Sequence, residues 1–184
     1  MKILIASDIH GSALYCEKLL GATERENADK ILLLGDLLYH GPRNDLPDGY
    51  APKKVIEMLS SLTDKITCVR GNCEAEVDQM VLPFPVMADY CILDSEEAKG
   101  HRIFATHGHH FNPETPPKLR AGDILLNGHT HVPACRDCGD FLYVNPGSVS
   151  IPKEGSAHSY LMLEDGKLTW KDLDGQIYME HILK

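Results

Sequence analysis

Residues 2–11, Lys-Ile-Leu-Ile-Ala-Ser-Asp-Ile-His-Gly, decide the fold. An apolar run of strand length, Lys2 to Ala6, stops at the polar group Asp8-x-His10-Gly11. A short apolar run that ends abruptly in this way reads as a strand buried on both faces, the situation of a parallel sheet covered by crossover helices. The next stretch is helical in its spacing, with Leu14, Leu19, Leu20 and Ala22 lying between about Ser12 and Asn27 and Ser12 placed to cap it. A second buried run, 31–34, ends in Gly35-Asp36. A second helix is expected from Pro52, a good first-turn residue, through Val55, Ile56, Met58, Leu59 and Leu62. It leads into a strand at Ile66–Val69. The first half thus alternates strand and helix as a parallel sheet requires.

Further out the character changes. Short runs at 89–93, 102–106, 124–127, 141–144, 159–163, 167–172 and 176–182 predict mostly antiparallel strands. Asp165-Gly166 and Asp174-Gly175 are strong hairpin turns. No repeat, linker or low-complexity segment interrupts 1–184, which reads as a single domain. The expected architecture is α/β: two packed mixed β-sheets, the first partly parallel, with helices on the outside.

Asp8-Ile9-His10-Gly11, Gly35-Asp36, Gly71-Asn72-Cys73-Glu74, Thr106-His107-Gly108-His109 and Gly128-His129-Thr130-His131 each follow a strand-like run. In open α/β sheets, residues just past the carboxyl ends of strands converge on one crevice, so segments remote in sequence share a site. Neighbouring glycines let backbone pass close to an occupant. Two carboxylates, an amide and several imidazoles make a borderline nitrogen and oxygen environment suited to Mn, Fe, Zn or Co rather than Ca. Asp8-x-His10 and His129-x-His131 are expected on extended segments, where alternate side chains face the same way.

The ordered pattern D-x-H, G-D, G-N-[HC]-[DE], H, G-H-x-H resembles that of the calcineurin-like metallophosphoesterase superfamily over nearly the whole chain. Within it, the loop His40-Gly41-Pro42-Arg43-Asn44 and the run Asn145-Pro146-Gly147-Ser148-Val149-Ser150 resemble the small bacterial YfcE-type phosphodiesterases. The resemblance implies two divalent metal ions, Mn first, with Zn, Fe, Co or Ni as other candidates. Asp8, His10 and His131 would hold one ion, Asn72, His107 and His129 the other, and Asp36 would bridge them. It further implies a phosphodiesterase in which a metal-bridging hydroxide attacks phosphorus, the ions lowering the pKa of water from about 15.7 toward roughly 7. A homo-oligomer is also implied.

One position departs from the commonest pattern. Many members carry His after the motif Asn, where it assists the leaving group; this chain has Cys73. A thiol, with a reference pKa of about 8.5, is a weak donor. General acid help is commonly worth about 100-fold to 10,000-fold, so esters with basic alkoxide leaving groups should suffer most and diesters with activated leaving groups should be favoured. Catalytic candidates are therefore Asp36, Asn72, Cys73 and Arg43, the last as a bidentate partner for a non-bridging phosphate oxygen or as an exposed turn residue. Two other readings stay open: a phosphomonoesterase or nucleotidase at the same metals, and a non-catalytic scaffold related to the retromer subunit of this fold.

The remaining signals are bland. His109 is expected beside the ligands rather than among them, and His101, His110, His158 and His181 as structural or surface residues. Cys135-x-x-Cys138 falls in a hairpin without a partner pair, and Gly147-Ser148 lacks the surroundings of a nucleophile elbow. A net charge of −9 without a basic block argues against sequence-general nucleic-acid binding, while a small anionic phosphodiester remains compatible with a metal-bearing cleft. The six scattered cysteines fit a reducing, cytoplasmic setting. The apolar opening ends too early for a signal peptide, and no later run has membrane-spanning length.

Overall fold

The computed structural model describes residues 1–184. The first sheet holds β1 (Ile3–Ala6), β2 (Lys30–Leu33), β3 (Ile66–Cys68), β9 (Ser159–Glu164), β10 (Lys167–Asp172) and β11 (Ile177–Ile182), in the order β11-β10-β9-β1-β2-β3. The second holds β4 (Tyr90–Asp94), β5 (Arg102–Thr106), β6 (Asp123–Leu126), β7 (Ala134–Asp137) and β8 (Phe141–Asn145), in the order β4-β5-β6-β8-β7. Helices α1 (Ala13–Glu26), α2 (Pro52–Ser60) and the short α3 (Glu76–Val81) lie in the first half of the chain.

Strand alternation explains why β1 has no polar face. Leu4 and Ala6 join Cys16, Leu19, Val55 and Leu59 in a core between the first sheet and α1 and α2. Ile3 and Ile5 point the other way, into a core shared with Ile103, Ala105, Ile124, Leu126 and Trp170 between the sheets. Helix α1 begins where expected: Ser12 accepts the Tyr15 N–H at 3.3 Å, and Asn27 ends it in the left-handed conformation.

The two packed mixed sheets with outer helices are as expected, and three details refine that reading. Helices flank only the first sheet; the outer face of the second, with Phe104, Leu125 and Tyr143, is covered by Phe111 and Leu119 from the loop after β5. The centre of the second sheet is parallel, β5 to β6 to β8, with antiparallel strands only at its edges. Strands this short carry too few side chains for their pattern to reveal direction. Helix α3 was not anticipated, and β7, one arm of the hairpin expected around Cys135-x-x-Cys138, was not given strand bounds, because six and four residues give no clear periodicity.

The parallel triplets β1-β2-β3 and β5-β6-β8 give each sheet a set of carboxyl ends. The two sets meet across the sandwich. His107, just past β5, reaches the Leu34 carbonyl just past β2 with Nδ1 at 2.7 Å. Trp170 of the first sheet is fully buried and donates Nε1–H to the Asn145 carbonyl at the end of β8, at 2.7 Å.

Candidate metal centre

The turns that leave these strands are tight enough to force unusual backbone. Asp8, His10, Asp36, His129 and His131 all have φ between 47° and 64°. Left-handed backbone costs a non-glycine residue roughly 1–2 kcal/mol, so five such residues at one spot indicate a constellation that the surrounding structure imposes. Here the extended reading of Asp8-x-His10 and His129-x-His131 is corrected. The paired side chains do converge, but from left-handed turns rather than from strands.

Hydrogen bonding then sorts the atoms of each side chain into outer and inner. A backbone carbonyl can only accept, so Nδ1 of His10, His107 and His131 must carry the proton it shows to Tyr39 (2.7 Å), Leu34 (2.7 Å) and Ile151 (2.6 Å). Nε2 of each ring is left facing inward, free to take up a proton or a metal ion. The carboxylates are divided in the same way. Asp8 Oδ2 accepts the His129 N–H at 3.0 Å, and Asp36 Oδ1 accepts the Cys73 N–H at 2.8 Å. Asp8 Oδ1 is buried without a hydrogen-bond partner.

The inner atoms crowd together. Asp8 Oδ1 lies 3.2 Å from His131 Nε2 and 3.5 Å from His10 Nε2, and these two ring nitrogens are 3.3 Å apart. His107 Nε2 lies 3.2 Å from Asn72 Oδ1, 3.2 Å from His129 Nδ1 and 3.4 Å from Asp36 Oδ2. Asp36 Oδ2 also reaches within 3.7 Å of His10 Nε2, connecting the two groups. Acceptors facing acceptors repel unless positive charge lies among them. Burial opposes charge on these groups, yet the carboxylates lift His107 to about 9 and raise His10, while the adjacent histidines hold Asp8 and Asp36 below the usual carboxylate range. The cluster therefore favours cations, and its donor set fits a divalent transition metal. Asp8, His10 and His131 form one group able to hold an ion, and Asp8, Asp36 and His107 another.

Cys73 joins His10 and Asp36 in a third group whose donor atoms lie within 4.8 Å of one another. Burial and the Asp36 charge push its thiol up, keeping it protonated. Arg43 and Asn44 line the same cleft, about 430 Å³ in volume, and Asn44 ties the loop by donating to the His40 carbonyl at 2.8 Å. His109 stands beside the cluster, its ring centroid 5.4 Å from that of His107, and burial lowers it to about 4. His158 stacks on Tyr15, and both ring nitrogens of His101 contact backbone carbonyls. Cys135 packs toward the core between the sheets and Cys138 toward the outer one, so the C-x-x-C pair is split across β7.

Several supporting residues lie inside the motifs quoted above, and the structure shows what they hold in place. Glu74 accepts the N–H groups of Asp36 (2.8 Å), Leu37 (2.7 Å) and Gly71 (2.5 Å), binding the turn after β2 to the turn after β3. Burial, together with the Asp36 charge, raises it to about 7. Ser148 and Ser150 each donate to the Asp8 carbonyl at 3.0 Å, which gives the Gly147-Ser148 turn a structural role. Lys153 and Thr130 also line the cleft. Of these, Lys153 alone lies outside the quoted motifs, and tertiary packing brings it to the cleft.

The sequence model of the calcineurin-like phosphoesterase superfamily domain matches residues 1–166. The chain is 47% identical over 176 residues to phosphodiesterase YfcE of Escherichia coli, covering 96% of this chain and 94% of that one. The solved structure of the E. coli phosphoesterase YfcE superposes with a TM-score of 0.95 at 45% identity over the full length of both. Vps29 of Entamoeba histolytica, solved with zinc, shares the fold alone, with a TM-score of 0.63 at 20% identity over the full length of both. Motif order, sandwich topology and this whole-length similarity agree, and the chain belongs to the calcineurin-like phosphoesterase superfamily.

Proposed function

We propose that this protein is a metal-dependent phosphodiesterase working through two divalent ions, with manganese the ion used, and that residues 1–184 act as one domain. The observation that carries this reading is the sorting of donors, in which outer atoms are tied to backbone and inner atoms converge. Asp8, His10 and His131 would hold one ion and Asn72, His107 and His129 the other, with Asp36 available to both. The relative named a phosphodiesterase, at 47% identity, supports diester cleavage.

Bound there, the ions supply Lewis acidity and a water acidic enough to act as nucleophile near neutral pH. The chain supplies the geometry. Backbone carbonyls of Tyr39, Leu34 and Ile151 hold the imidazoles in one tautomer, and such outer partners commonly account for 10–100-fold in metal affinity. Arg43 offers a fork of donors for a non-bridging phosphate oxygen, and Asn72 presents its amide at the cleft. Cys73, protonated and weakly donating, gives little help to a basic leaving group, which favours diesters with good leaving groups over monoesters.

The six free cysteines support a reducing, cytoplasmic setting, and no helix is long and apolar enough to cross a membrane. Exposed Tyr90 and Ile92 on the edge strand β4 support assembly into a homo-oligomer. The decisive experiment strips the protein with chelator, restores Mn, Zn, Co or Fe, and follows an aryl phosphodiester and the matching monoester, alongside Asp36→Asn. Metal-dependent diester cleavage that Asp36→Asn abolishes is expected. No turnover with any of these metals by folded protein would favour the scaffold reading.

A further inference from the structure

The cleft over the donor cluster has a composition that bears on its substrate. It is lined by His10, His129 and His131 from the cluster and by Arg43, Asn44, Thr130 and Lys153 around its rim, with no Phe, Tyr or Trp. A nucleobase needs an aromatic or apolar face to stack on, and Pro42 and Cys73 are the only apolar side chains present. Two cations, in contrast, stand on separate loops, and neither pairs with a carboxylate within 4.0 Å.

The side chain of Lys153 is exposed, but the backbone that carries it is anchored. Its N–H donates to the His131 carbonyl at 3.2 Å, and its own carbonyl accepts from Ser156 Oγ at 2.7 Å. The following residue, Glu154, takes a left-handed φ of 55° and faces the adjoining hollow, with Asn112 and Arg136, instead of the cleft. The turn separates two neighbouring opposite charges and leaves the lysine alone on the metal side. The single charge of a scissile diester is answered at the donor cluster and by Arg43, so Lys153 has no counterpart on a simple diester.

We propose that Lys153 is a specificity residue for a second anionic group, and that the preferred substrates are phosphodiesters whose retained arm is small, non-aromatic and carries a carboxylate or phosphate. This inference rests on the phosphodiesterase reading above. Its test keeps the leaving group constant by comparing para-nitrophenyl ethyl phosphate, para-nitrophenyl carboxyethyl phosphate and the para-nitrophenyl ester of thymidine monophosphate on the Mn-loaded protein. An exposed charge-assisted contact predicts kcat/KM about tenfold higher for the carboxyethyl than for the ethyl ester, carried by KM. Lys153→Met should erase that ratio, Lys153→Arg should keep it and Lys153→Glu should invert it, with thermal melts monitoring folding. Equilibrium binding of the matching, unhydrolysed methylphosphonate monoesters, measured by calorimetry, should follow the same order. Equal rates for the ethyl and carboxyethyl esters, a ratio unmoved in Lys153→Glu, or best turnover of the thymidine ester would each overturn the inference while leaving diesterase activity established. Failure to cleave any of the three would instead strike the functional reading itself.

Discussion

The donor cluster and the rim of its cleft are built on different principles. In the cluster, Asp8, His10, Asp36, His107 and His131 are buried, and each spends one polar atom on backbone so that the other is aimed. On the rim, Arg43 and Lys153 are exposed, and their cationic groups have no ion-pair partner. Anchoring limits the inner atoms to one geometry at the expense of backbone strain, which suits groups that must be placed before any substrate arrives. Freedom on the rim suits groups that select among substrates. Changes in the cluster should therefore act on metal binding and folding together, and changes on the rim on substrate affinity alone.

The strongest way to break that contrast is Gly128→Ala. A Cβ there would collide with Ser7 Oγ and lie 2.8 Å from Asp8 Oδ2, which receives the His129 N–H. The expected result is destabilisation by about 1–3 kcal/mol and a roughly 10–100-fold loss of Mn affinity, read by thermal melting and metal titration. Unchanged values in both would mean that the anchoring described for Asp8 is unimportant. Arg43→Ala sharpens the comparison from the other side. KM for an aryl diester should rise about tenfold while Mn affinity and melting temperature stay put; an unaltered KM would return Arg43 to the status of an exposed turn residue.

The smallest effect is expected far from both regions. Asp123, buried at the start of β6, would be raised by burial, but Arg102, whose Nε lies 3.2 Å away, and the Arg120 N–H at 2.7 Å hold it below the usual carboxylate value. A depressed folded-state pKa contributes stability above the unfolded value, and that stability disappears as pH falls through the folded one. Melting temperature should thus decline below roughly pH 4 in the parent protein, and Asp123→Asn should flatten part of that decline without altering Mn affinity at neutral pH. A parallel decline in both proteins would show that this ion pair contributes nothing.

Much was legible in the residues alone. The runs before Asp8, Asp36, Asn72, His107 and His129 placed the site at strand ends, since a strand buried on both faces leaves an unbroken apolar signature and a polar break marks where it stops. Helix α1 could be read to within a residue of its bounds, because Ser12 and Asn27 are cap residues whose chemistry is local. The parallel centre of the second sheet was not legible. Strand direction there depends on partners rather than on the pattern within four or five residues.

By itself, then, the sequence determined which chemical groups are available and in what order they follow their strands, because residue type and hydrophobic period are properties of short stretches of chain. Tertiary structure alone decided which atom of each group is left free. That Nε2 rather than Nδ1 of His107 faces inward depends on the Leu34 carbonyl, and that Asp8 Oδ1 rather than Oδ2 is unpartnered depends on the His129 N–H. Those partners lie 73 and 121 residues away along the chain, and only the packing of one sheet on the other brings them within hydrogen-bonding distance. The same packing brings Lys153 to the cleft beside His131, a placement with no trace in its own neighbourhood of sequence.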